Sequence, residues 1–164
     1  MSLHPYLKTP GVAISAHRGG SMEAPENTLE SFKYSLELGC AYIETDVQLS
    51  ADGIPFIFHD DDLNRLLGKD LIFNNLHSEE INQLRLFEAY QIPTLKEVLK
   101  KFPDANLIDV IPKDNKKKEF ARGLSSFSSE EVKKIMGYHS NEIQKILGYV
   151  SKSEVVHKDN MVKI

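Results

Sequence analysis

Three short groups of residues carry the side chains able to do chemistry: His17-Arg18 followed by Gly19-Gly20, Glu44 with Asp46, and His59-Asp60. Two carboxylates two residues apart on an extended strand point the same way. Left unpaired they repel each other, and a hard divalent cation relieves that repulsion by taking their oxygens as ligands. The planar guanidinium of Arg18 matches the oxygens of a phosphate. Two histidines can act as general base and general acid near neutral pH. Together these groups describe metal-assisted cleavage of a phosphate ester. Each has a plainer reading beside it. A single Glu-x-Asp pair on a strand also occurs on a solvated sheet face, a single His-Arg step is often structural, and His59 alone could end a strand. The glycine pair could shape a phosphate-approaching loop or only a tight turn.

The elements that must position these groups follow from patterning. Residues 11–16 (GVAISA) are a short apolar run with β-branched Val12 and Ile14, which predicts a buried strand ending at His17. A loop punctuated by Pro25 leads to Asn27 and Thr28, either of which can cap a helix with its side-chain oxygen. Leu29, Phe32 and Leu36 recur at helical spacing and Gly39 supplies a stop. Residues 41–49 alternate, with Tyr42, Glu44, Asp46 and Gln48 on one face of a predicted strand and Ile43, Thr45, Val47 and Leu49 on the other. Asp52-Gly53 marks a turn before a short strand over 55–58 that delivers His59. Residues 63–76 read as loop with a short strand, and Ser78 begins a short helix. Thr94 with Glu97 forms a capping box ahead of a helix over Leu95–Lys101. Residues 105–111 (ANLIDVI) are a further strand, closed by Pro112.

Helical periodicity returns over 116–121, 130–136 and 141–147, with only Val155-Val156 as an apolar pair beyond. Strands alternating with helices predict βαβ units and a mainly parallel sheet, whose active sites gather where loops leave the carboxyl ends of the strands. A closed barrel of eight such units takes about 250 residues, and this chain has 164.

Composition narrows the function classes. Hydrophobic residues at 41% give enough apolar mass for a folded core, which excludes a disordered chain. The net charge of −4 and a single basic run, Lys116 to Lys118, argue against nucleic acid as a partner. No apolar window reaches membrane-spanning length, and the first residues lack the pattern of a signal peptide. One cysteine, Cys40, excludes an internal disulfide framework. These features lead to the expectation of a cytoplasmic protein. Cys40 itself reads as a small buried side chain, and His4, His77, His139 and His157 read as surface residues.

The stretches AHRGGSMEAPENTLESF and IETDVQLSADGIPFIFHDDDLNR, with a looser echo in IPTLKEVL, closely resemble the glycerophosphodiester phosphodiesterase family. The resemblance implies an α/β TIM-barrel-type fold, here incomplete and about the first half of a (β/α)8 barrel, with a small insertion at about 53–91. Residues 1–121 would form that half-domain and residues 122–164 an atypical, mostly helical tail. By the same resemblance, His17 and His59 are the catalytic acid–base pair and Arg18 lies on the substrate phosphate. Glu44, Asp46 and Asp109 would hold a divalent cation, magnesium or calcium. Glu26 and Asn27 match a loop element and are expected to serve first as loop and helix-cap structure and second as helpers of His17.

The implied reaction splits a glycerophosphodiester into glycerol 3-phosphate and an alcohol. The alternative is a phosphate- or metal-binding remnant without turnover. A related phospholipase D group is mostly disulfide-bonded, which one cysteine argues against. Two departures stand out. Ile111 occupies the place of a phosphate-contacting lysine, with Lys113 two positions on. The apolar strands of a second barrel half are missing, so open sheet edges lead to the expectation of a homo-oligomer.

Overall fold

The computed structural model describes residues 14–108 and positions 120, 124, 127, 128 and 131. The expected residues Asp109, Ile111 and Lys113, the helices over 116–121, 130–136 and 141–147, and the Val155-Val156 pair fall wholly or mainly outside these positions.

The first unit is strand, helix, strand. Strand β1 (Ser15–Ala16) ends in a 3₁₀ turn over His17–Gly19. Helix α1 (Leu29–Glu37) starts at Thr28, whose hydroxyl accepts from the backbone N–H of Ser31 while the Ser31 hydroxyl accepts from that of Thr28. The cap is therefore Thr28 rather than Asn27. Beyond the last turn Gly39 takes φ +82°, the left-handed conformation a glycine adopts without a Cβ penalty. Strand β2 (Tyr42–Glu44) then pairs in parallel with β1, Ser15 opposite Tyr42.

On its other side β2 pairs in parallel with β7 (Leu107–Ile108), Ile43 opposite Leu107, and β7 follows helix α4 (Leu95–Lys101) with its expected Thr94–Glu97 capping box. The parallel sheet is thus β1-β2-β7 among the described residues. Its core joins Phe32 of α1, Ile43 of β2, Val98 and Leu99 of α4 and Leu107 of β7, with Phe120, Leu124 and Phe127 buried in the same cluster. Cys40 packs against this core as a partly buried side chain.

The continuous strand expected over 41–49 is two strands. Thr45 still donates its backbone N–H to Ile108, at 3.1 Å, but the chain then leaves the parallel sheet at Asp46. Strand β3 (Val47–Leu49) instead forms an antiparallel hairpin with β4 (Pro55–Ile57), Val47 opposite Ile57 and Leu49 opposite Pro55. Alternation of polar and apolar residues runs unbroken through the sequence, whereas the change of partner is a non-local event that alternation does not encode.

After the hairpin come β5 (Asp62–Leu63), helix α2 (Asn64–Leu67), β6 (Lys69–Ile72) antiparallel to β5, and α3 (Ser78–Gln83). Phe56, Phe58, Leu63, Phe73, Ile81, Leu86 and Ile92 bury a second apolar cluster here. Within it Phe58 stacks on Phe73 at 4.6 Å between ring centroids. That cluster makes the segment carrying His59 a packed stalk rather than a free loop.

Candidate active site

His17 and Glu44 occupy matching places at the carboxyl ends of adjacent parallel strands. His17 follows β1 directly and Glu44 is the last residue of β2. His17 Nε2 lies 3.9 Å from Glu44 Oε2, and its Nδ1 is 3.3 Å from the Ser21 hydroxyl.

Arg18 adopts φ 49°, a left-handed conformation that costs a non-glycine residue about 1–2 kcal/mol. The turn gives the Arg18 N–H a carboxylate acceptor, Glu44 Oε2, at 2.9 Å. The guanidinium of the same residue donates through Nη1 to Glu26 Oε1, at 3.1 Å, and its Nε lies 3.8 Å from Asp46 Oδ2. One residue therefore touches both members of the Glu-x-Asp pair. Arg18 Nε is buried and has no hydrogen-bond partner.

Asn27 does a different job from the expected helix cap. Its side-chain oxygen accepts from the Thr45 hydroxyl at 2.8 Å, and its amide nitrogen donates to Asp46 Oδ2 at 3.2 Å. Held at φ 55°, which asparagine tolerates better than most residues, it pins the two residues at which the chain leaves the parallel sheet. Asp46 is set by this contact rather than by regular strand geometry.

His59 follows the short strand expected before it, and the antiparallel pairing of that strand, which the sequence reading did not contain, returns it to the same region. Strand β3 runs away from the carboxyl end of β2, and β4 returns antiparallel beside it. The N–H of Phe58 donates to the carbonyl of Asp46 at 3.0 Å, so His59 emerges next to the Glu-x-Asp segment. Gln48 Nε2 donates to the His59 carbonyl at 3.3 Å and steadies the exit.

Two further groups complete the arrangement. His59 Nδ1 lies 2.5 Å from Asp60 Oδ1, and Asp60 Oδ2 accepts from Arg65 Nε at 2.7 Å. The two terminal nitrogens of Arg65 form a fork on Glu26, at 2.8 Å and 2.6 Å. Glu26 thus lies between Arg65 and Arg18, and a continuous chain of charged contacts runs from Arg18 to His59.

The hydrogen bond from Arg65 holds the Glu26 carboxyl below its ordinary range, against the opposing effect of burial and with further help from Arg18. Burial pushes Asp60 up, but hydrogen bonds from Arg65 and His59 outweigh it and leave this carboxyl lowered. Arg65 is raised by Glu26 and then by Asp60, so it stays charged. Arg65 and the bridging role of Glu26 were not foreseen; the sole local signal was an arginine five residues after Asp60.

Of the expected cation ligands, Glu44 accepts from the Arg18 N–H, Asp46 accepts from the Asn27 amide, and Asp109 lies outside the described residues. Among the described residues no group of three His, Cys, Asp or Glu side chains is placed to hold a metal ion. The two carboxylates fit a hard divalent cation by donor type, as an incomplete set of oxygen ligands.

The sequence model of the glycerophosphoryl diester phosphodiesterase family matches residues 17–156. A glycerophosphodiester phosphodiesterase of Caldanaerobacter subterraneus subsp. tengcongensis is 36% identical over 102 residues, covering 58% of this chain and 42% of that protein. Human glycerophosphodiester phosphodiesterase 1 is 34% identical over 105 residues, covering 58% of this chain and 32% of its own length.

Among solved structures, an Oleispira antarctica phosphodiesterase in complex with the product sn-glycerol-3-phosphate superposes with a TM-score of 0.61 at 34% identity, over 68% of this chain and 49% of that one. The Thermotoga maritima glycerophosphodiester phosphodiesterase gives a TM-score of 0.59 at 34% identity, over 71% of this chain and 49% of that one. The chain spans half or less of the length of these relatives, and its α/β fold is the corresponding part of a TIM-barrel-type architecture. With the family's match running through the His17-Arg18 turn, the Glu44 and Asp46 pair and the His59 stalk, the chain belongs to the glycerophosphoryl diester phosphodiesterase family.

Proposed function

We propose that this site hydrolyses a glycerophosphodiester to glycerol 3-phosphate and an alcohol, with a divalent cation, magnesium or calcium, held by Glu44, Asp46 and Asp109. The observation that carries the reading is the double engagement of Arg18. Its backbone N–H on Glu44 and its guanidinium beside Asp46 set a phosphate-matching cation against paired carboxylates, one residue after His17. The bound product in the Oleispira antarctica relative supports the substrate class.

When bound, a divalent cation supplies Lewis-acid stabilisation of the negative charge on phosphate oxygens. The chain's own groups do the rest. Arg18, whose own side chain is largely buried, adds a fixed positive charge where the non-bridging oxygens gain negative charge. One histidine takes the proton from the attacking oxygen. The other gives a proton to the leaving alkoxide as the P–O bond breaks, so two groups of opposite protonation are needed and the pH–rate profile is bell-shaped. Ser21 at Nδ1 of His17 and Asp60 at Nδ1 of His59 leave the Nε2 atoms as the working positions.

The test is glycerol 3-phosphate release from glycerophosphocholine, coupled to a dehydrogenase, with magnesium or calcium and with chelator. Cation-dependent release that disappears in His17→Ala supports hydrolysis. Release no greater than that of His17→Ala reduces the site to a phosphate- or metal-binding module.

A further inference from the structure

Within the proposed hydrolytic reading, we propose that Arg65 is a positioning residue, whose guanidinium holds Asp60 on one edge and Glu26 on the other and so fixes the tautomer and direction of the His59 ring. Glu26 lies 39 residues before Arg65 and also accepts from Arg18. One guanidinium therefore sets the distance between the loop that carries His17 and Arg18 and the stalk that carries His59.

The direction of the hydrogen bonds at Asp60 decides the tautomer. Asp60 receives Arg65 Nε on Oδ2 and the His59 ring on Oδ1. A carboxylate so bound is ionised and accepts only. The proton of the His59–Asp60 contact therefore belongs to His59 Nδ1, and Nε2 carries the free lone pair, as a general base requires. Asp60 can hold that tautomer only while its own orientation is fixed. Its carboxylate sits on the residue next to His59 and would otherwise rotate, because a side chain follows its strongest partner. Arg65 is that partner, and its second edge is anchored by the two-point contact with Glu26 rather than by solvent. Lysine could keep the charge but could not bridge both carboxylates with a planar fork.

The experiment is long-range ¹H–¹⁵N correlation of the histidine rings in the ¹⁵N-labelled full chain, at a pH of about 8.5 where imidazole is neutral. The parent is expected to show His59 protonated at Nδ1 and bare at Nε2. Arg65→Lys and Arg65→Met are both expected to move His59 to the Nε2–H form, while His17 is unchanged. A parent His59 with its proton on Nε2 overturns the proposal without any variant. So does an Nδ1–H signal retained in Arg65→Lys, the variant that keeps the charge and decides the matter if Arg65→Met loses its dispersed amide spectrum.

A kinetic arm separates this idea from the hydrolytic reading beneath it. With glycerophosphocholine as substrate, Arg65→Lys should lower kcat by about 10²-fold, the cost of a small misplacement of a catalytic group, with KM little changed. No turnover by the parent together with the expected tautomer change would refute hydrolysis and leave the positioning role standing. Normal kcat in Arg65→Lys would refute positioning and leave hydrolysis standing.

Discussion

Replacing Gly19 by alanine tests whether the turn that carries His17 and Arg18 is locked against helix α1. A Cβ built at Gly19 would lie 2.5 Å from the Ser31 hydroxyl oxygen and 2.8 Å from Cε1 of Phe32, with Cδ1 of Phe32 in the way as well. Neither neighbour can yield cheaply. Phe32 is 1% exposed and packs edge-on against Phe102, and the Ser31 hydroxyl donates to the Thr28 carbonyl while accepting the Thr28 N–H. Gly53 offers the matched control, because its φ of +83° is close to the +75° of Gly19 yet a Cβ there meets nothing within 4 Å.

The left-handed conformation alone costs alanine about 1–2 kcal/mol at either site. Overpacking adds about 1–3 kcal/mol at Gly19 only. Urea unfolding followed by far-ultraviolet circular dichroism should therefore place Gly53→Ala about 1–2 kcal/mol and Gly19→Ala about 2–5 kcal/mol below the parent. Equal losses in the two variants would refute the claim that α1 sets the position of the turn.

Stability should fall on acidification in a direction fixed by the lowered carboxyls. Partial burial raises Asp52, but hydrogen bonds from the Ser78 and Ser50 hydroxyls outweigh it and hold the group at about 2 instead of 3.8. Glu26 and Asp60 are lowered too, so all three contribute stability that is complete above their unfolded values and is lost as pH falls through the folded ones. Urea midpoints should drop between about pH 5 and pH 2, and drop less steeply in Arg65→Met, whose carboxyls have lost that partner. Calorimetric titration with magnesium or calcium should give heat with the parent and none with the Glu44→Gln, Asp46→Asn double variant. Ile111→Lys should raise turnover, because a charged phosphate contact is worth about 2–4 kcal/mol of transition-state stabilisation; an unchanged rate would show that this position does not limit the reaction.

The parts of this molecule legible in its sequence are those decided by neighbours along the chain. Thr28, Gly39 and the Thr94–Glu97 box mark helix ends because capping is a contact across three or four residues. The three chemical groups were legible because they fall at strand ends. What was not legible depends on partners far along the chain. The strand over 41–49 divides because Thr45 keeps its bond to Ile108 while Asn27, eighteen residues earlier, holds the Thr45 side chain. Asn27 looked like a cap because its residue type suits one, but Thr28 had the geometry. Arg65 offered only its spacing from Asp60, because its role depends on Glu26 and Asp60 together. His59 was expected at the end of a strand, and it is, but the hairpin that returns it to Asp46 follows from pairing between β3 and β4 that periodicity leaves open.

The central claim is that His17, the two carboxylates and His59 serve one ligand. The measurement that tests it most directly is a crystal structure of the chain with sn-glycerol 3-phosphate and calcium. A calcium ion is expected on Glu44 and Asp46 with the phosphate next to it, within hydrogen-bond reach of Arg18 and of both histidine Nε2 atoms. A phosphate bound elsewhere, or His17 and His59 opening onto different surfaces, would contradict it.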